Sequence, residues 1–215
     1  AVDASAVIEL KPDLVIASNK TNAAALDAIR AEGIPVTVVQ IGPTLESAFT
    51  GMEQVSVALG STAIGKWVIR DNRRALQRLA GKFRNEAKKL RALCVVVDLE
   101  RKLSIGGKDT AAATMLELGL SENVATNVSG YTTASVASSK DLQPDVIVTA
   151  TQDLYDPEEL IEMLSNAGLG NSPAVKNKRI VDMDGNLLLG MGPRIAAAAE
   201  QLADYMRQPE GNIGF

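Results

Sequence analysis

The sequence predicts an α/β protein: two pseudo-symmetric, Rossmann-like lobes with parallel sheets, joined by one long helix. Three features predict it. Residues 61–92 contain no proline, and Ile64, Trp67, Val68, Ala75, Leu79, Phe83, Ala87 and Leu90 recur mostly at three- or four-residue intervals, which is the spacing of one apolar helix stripe. Strand-helix-strand patterns flank that stretch on both sides. The string Lys11-Pro-Asp-Leu-Val-Ile-Ala17 returns as Gln143-Pro-Asp-Val-Ile-Val-Thr149, so the same element stands at the same place in both flanking units.

In order along the chain, Leu14, Val15, Ile16 and Ala17 form a short apolar run, residues 22–32 an amphipathic helix ending at Gly33, and residues 36–39 a second strand. This is a βαβ unit with a parallel pair. The helix over 61–92 would be about 45 Å long, longer than a small domain is wide, so it bridges two domains. After it come strands at 94–97, 146–149 and 180–183, separated by helices at 110–118 and 157–167. The resulting partition is a first lobe at 1–60, the helix at 61–92 and a second lobe at 93–215.

Composition removes several function classes. With 215 residues, 46% of them hydrophobic, the chain can bury one large or two modest cores. It has no histidine, and Cys94 is its only cysteine, which excludes a disulfide framework, a Cys/His zinc site and a histidine-based triad. Cys94 opens a Val-rich run and reads as a buried strand thiol. No apolar run approaches the roughly 20 residues of a membrane helix, and no export signal is visible at the start. Residues 61–92 hold ten basic and two acidic side chains in a chain of net charge −4. A basic helix is a feature of nucleic-acid-binding proteins, but only Trp67 and Phe83 interleave it and no nucleic-acid motif accompanies it. A solvated helix face is the preferred reading, with no nucleic-acid partner.

The strings Leu10-Lys-Pro-Asp-Leu-Val-Ile-Ala17, Leu26-Asp-Ala-Ile-Arg-Ala-Glu-Gly-Ile-Pro-Val36 and Pro43-Thr-Leu-Glu46 resemble the first lobe of the binding proteins that serve haem, siderophore and cobalamin ABC importers. Gly106-Gly-Lys-Asp-Thr-Ala-Ala112, Gly130-Tyr131, Asn177-Lys-Arg-Ile-Val-Asp-Met-Asp184 and Leu187-Leu-Leu-Gly-Met-Gly-Pro-Arg194 resemble the haem branch in particular. The resemblance implies a periplasmic or lipid-anchored extracytoplasmic protein that takes haem into an interlobe cleft and delivers it to a permease dimer without chemistry on it. Ferric-siderophore or cobalamin binding is the alternative within the class. Outside it stand a metal-cluster enzyme component, whose cysteine ligands one Cys cannot supply, and a nucleic-acid-binding role for the basic helix. Members of the family carry a further βα unit before the position of Ala1, so the resemblance implies an incomplete first lobe and an exposed strand edge prone to self-association.

On this resemblance Tyr131 is the expected haem ligand, since a phenolate is a hard oxygen donor suited to ferric iron and the Gly130-Tyr131 pair reads as a loop tip. Arg194, after a glycine-rich turn, is expected to fork onto a haem propionate and to favour the phenolate. Lys108 adds a positive charge where Gly106-Gly-Lys-Asp-Thr110 leads into a helix whose first N–H groups would receive a carboxylate. The bland alternative for that motif is a helix cap at Asp109 or Thr110. Thr132, beside the tyrosine, and Met191, in the glycine-rich turn, complete the expected haem contacts. Glu158 and Glu159 are expected to dock onto basic residues of the permease, although acids also suit a helix N-terminus.

Overall fold

The structure, a computed structural model, describes residues 2–86, 89–98, 100–150 and 156–212. The chain forms two compact units, Ala1–Asp71 and Asn72–Phe215.

The first unit opens with α1 (Ala4–Glu9), whose first amides are capped by Asp3. β1 (Val15–Ser18), α2 (Ala23–Ala31) and β2 (Val36–Val39) then build the expected βαβ unit, with β1 and β2 parallel and Val15 opposite Val36. Asn22 caps α2, and Gly33 leaves it with a positive φ of 76°, a conformation that favours glycine. α3 (Leu45–Ala58) starts with a reciprocal Thr44/Ser47 capping box. Leu26, Ile29, Val39 and Phe49 form the small buried core.

α4 (Thr62–Lys82) corrects the expected 61–92 helix. Its 21 residues span about 30 Å. The chain turns at 83–85, and Leu90 already lies in the next strand. The apolar pattern of 83–90 therefore joined a helix end to a strand start, and Ala87 lies outside the described residues. The stripe is also rotated from the expected one. Ile64 and Trp67 are exposed, while Gly65, Asn72 and Leu79 are buried. Gly65 permits close packing on α3, because a Cβ there would stand 2.2 Å from Ser56 Oγ.

Among the described residues the second unit holds one sheet: β3 (Leu90–Val97), β4 (Leu103–Gly106), β5 (Ser121–Asn123), β6 (Tyr131–Thr133), β7 (Val146–Thr149) and β8 (Ile180–Asp182). The order is β6-β4-β3-β7-β8, with β5 also on β3. β5, β7 and β8 run parallel to their partners, whereas β3–β4 and β4–β6 are antiparallel. The sheet is thus mixed rather than parallel, because β4 pairs antiparallel with the β3 that precedes it and with β6. α5 (Ala111–Leu118), α6 (Val136–Ser139), α7 (Pro157–Asn166), α8 (Pro173–Lys176), α9 (Gly185–Leu189) and α10 (Ile195–Met206) complete the unit. Leu93, Val95, Ile105, Ile147, Leu164 and Ile180 are wholly buried, and they belong to one continuous core. On α10, Ala198, Ala199, Leu202, Ala203 and Met206 form a buried face, and the helix packs on α5 and α9. Small alanines let such helices approach closely.

Candidate functional site

β4, β6 and the start of α5 build one corner of the second unit. Gly106 stands opposite Tyr131 in the β4–β6 ladder. The pairing continues beyond the strands: Gly107 N–H donates to Gly130 O at 3.0 Å, Gly130 N–H to Lys108 O at 2.8 Å, and Lys108 N–H to Val128 O at 2.7 Å. Closeness explains the glycine pair. A Cβ at Gly106 would meet Ala112 Cβ at 2.6 Å, and one at Gly107 would meet Val128 O at 2.3 Å. Asp109 takes a left-handed φ of 61° and accepts from Ser129 Oγ at 3.0 Å, so the motif's acid secures the facing loop. The helix cap is Thr110, which accepts Ala113 N–H at 3.0 Å and donates to Gly107 O at 2.7 Å. Asn123 supports the corner from beneath by donating to Gly106 O at 2.9 Å.

Tyr131 is the first residue of a strand, not a loop tip. It is 48% exposed, which leaves part of the phenol able to meet a ligand. Its ring lies by Gly106, where an added Cβ would stand 3.6 Å from Tyr131 Cε1. Burial pushes the phenol's pKa up, and nearby Cys94 adds to the rise. Hydrogen bonding from Ala112 N–H and the Thr110 side chain pulls the other way. The start of α5 therefore lies close to the Tyr131 ring. Arg194 does not contribute to the shift, and the net direction is toward neutral phenol rather than phenolate. That corrects the expectation that the guanidinium favours ionisation.

The other expected residues divide. Lys108 is exposed beside the Tyr131 strand, with its backbone paired to the 128–130 segment. Arg194 is exposed at the start of α10. Thr132 alternates to the face opposite Tyr131, opposite buried Ile105 in the ladder, so the two side chains do not share a surface. Met191 is buried at 8% exposure with a positive φ of 48°, and offers little surface to a ligand. At the start of α7, Asp156 caps Glu159 N–H at 2.8 Å. Glu159 is ion-paired with Arg101, whereas Glu158 is exposed. Asn123, Ser129 and Asn72, described below, were not singled out from the sequence. For Asn123 and Asn72 the discernible signal is a buried polar residue at a position where the surrounding pattern calls for an apolar one, whereas exposed Ser129 carries none.

These features describe a chain of two α/β units with a half-exposed tyrosine at one corner of the second. The chain belongs to the periplasmic binding protein family, which it matches over residues 2–187. That family binds ligands and is not one of enzymes. It is 27% identical over 207 residues to the uncharacterized ABC transporter substrate-binding lipoprotein YvrC of Bacillus subtilis (strain 168), covering 94% of this chain. The chain spans 64% of that relative's length. Its fold is similar to the apo periplasmic heme-binding protein RhuT from Roseiflexus sp. RS-1, with TM-score 0.85, 23% identity, and coverage of 95% of this chain and 79% of that one. It is also similar to the periplasmic heme-binding protein BhuT in complex with two hemes, with TM-score 0.81, 25% identity and coverage of 95% and 78%. No helix among the described residues is long and apolar enough to cross a membrane.

Proposed function

We propose that the chain is the extracytoplasmic ligand-binding component of an ABC importer, that its ligand is ferric haem, and that Tyr131 is an axial ligand of the iron. The observation that carries the reading is the half-exposed Tyr131 phenol held on β6 against the first turn of α5. Its family, its ABC-transporter relative and its likeness to heme-binding folds support the same reading. Lys108 and Arg194 are the cations for the haem carboxylates, since a guanidinium pairs with a carboxylate through two parallel hydrogen bonds. Thr132 and Met191 take no part. Exposed Glu158 is the docking acid for the permease, with Glu159 retained by Arg101.

Because the phenol is held neutral, iron must displace its proton on binding. Hemin titration should give a Soret band, and apparent affinity should rise by about tenfold per pH unit across the neutral range, as one proton is released per iron bound. Tyr131→Phe should weaken hemin by more than the ~10–100-fold that loss of an outer-shell partner costs a metal site. An unchanged spectrum and affinity in that variant removes Tyr131 as the ligand.

The half-exposed phenol also supports a second reading, in which it donates a hydrogen bond to an anionic iron chelate such as a ferric siderophore. Such binding would lack the Soret band and the pH-dependent rise.

A further inference from the structure

α10 begins directly after the glycine-rich turn at 190–194, and Arg194, at its N-cap position, makes no side-chain capping hydrogen bond. The cap is supplied by a different helix. Asn72 of α4 accepts Ala196 N–H through Oδ1 at 3.0 Å and donates through Nδ2 to Pro193 O at 2.9 Å. Asn72 is 7% exposed and occupies the buried stripe of α4. Asparagine is a poor residue in the middle of a helix, and burying its amide costs free energy unless both ends are paired. Here both ends are paired, and both bonds go to one short segment. The two bonded peptide groups stand on either side of Arg194. A single planar amide therefore holds the chain before and after the arginine, fixing distance and rotation together.

We infer that Asn72 is a positioning residue for Arg194: its two hydrogen bonds set the direction in which the guanidinium leaves the start of α10, and so its fit to a ligand carboxylate. The inference rests on the proposed carboxylate role of Arg194. Asn72 touches no ligand itself.

The test compares hemin with hemin dimethyl ester, whose propionates carry no charge, on the same variants. Asn72→Asp keeps the acceptor for Ala196 N–H but sets a carboxylate against Pro193 O, whereas Asn72→Leu removes both bonds. Asn72→Asp and Arg194→Ala should each weaken hemin by about tenfold, the scale of one hydrogen bond to a charged group, and leave the ester nearly unaffected. The double variant should be no weaker than either single variant, because both remove the same interaction. Amide exchange at Ala196 should speed up in Asn72→Leu, and this reads the cap even where that variant binds poorly. Asn72→Asp with parental hemin affinity, alongside a weakened Arg194→Ala, overturns the positioning role and leaves the role of Arg194 standing. Equal losses for hemin and ester in Asn72→Asp also overturn it, since a structural defect would not distinguish the two. Arg194→Ala binding hemin like the parent overturns the carboxylate role, and the positioning role with it.

Discussion

β1 and β7 are written in nearly the same residues, Pro-Asp followed by an apolar run, yet they live in different surroundings. β7 lies between β3 and β8, and all four of its residues are buried. β1 has one partner, β2, and Ile16 is 40% exposed. The comparison teaches that an apolar run specifies a strand but not its depth. Depth comes from neighbours on both edges and helices on the faces, none of which the run encodes.

The largest predicted effect sharpens that contrast. Ile147→Ala on β7 should cost about 2–5 kcal/mol, as expected for a wholly buried isoleucine, while Ile16→Ala on β1 should cost less than about 1 kcal/mol. Urea unfolding followed by circular dichroism measures both, and similar costs would break the distinction.

A middle-sized effect concerns what ties the end of α10 to the segments that follow α4 and α5. Arg207 pairs with Glu86 through two bonds of 2.5 and 2.6 Å, donates to the carbonyls of Gly119, Leu120 and Ala203, and lies 4.0 Å over the Phe83 ring. Arg207→Ala should cost about 2–3 kcal/mol by leaving those carbonyls and the carboxylate without their partner. The hydrogen bond from Arg207 holds Glu86 below the ordinary carboxylate range. A lowered folded-state pKa means that this stability is present above the unfolded carboxylate's pKa and is lost as pH falls through the folded one. Glu86→Gln should therefore lose the pair's full contribution near pH 7, and its deficit relative to the parent should shrink as pH falls through the folded carboxylate's range, giving a shallower acid limb. An acid limb indistinguishable from the parent's would contradict it.

The smallest effect has the opposite sign. Gly81 lies inside α4 with open space where a Cβ would be, so Gly81→Ala should stabilise by about 0.5–1 kcal/mol. A loss of stability would show that this end of α4 needs a glycine for a reason other than packing.

Legibility followed periodicity. The βαβ unit of the first lobe, β7, α7 and β8 were readable because each has an apolar pattern bounded by Asp, Asn, Gly or Pro. β4, β5 and β6 were not readable as strands, being three or four residues long and including Gly106, Ser121 and Asn123. Their existence depends on the long-range pairing that places Tyr131 opposite Gly106. At the candidate site, residue types were visible and directions were not. The alternation that separates Thr132 from Tyr131 requires knowing that residue 131 begins a strand, and the burial of Met191 requires knowing how the 190–194 turn lies. Asn72 interrupts an apolar stripe, but its partners are more than 120 residues away.

The lone thiol supplies an intrinsic clock. Cys94 is wholly buried in the central strand β3, and burial pushes its pKa up to about 12. Thiol reagents attack the thiolate, so in the closed protein the group lacks both access and charge. Each labelled molecule must first have parted its sheet. The rate of labelling with a neutral thiol reagent therefore counts openings of the second unit, and a ligand that clasps this unit would slow the count in proportion to its occupancy.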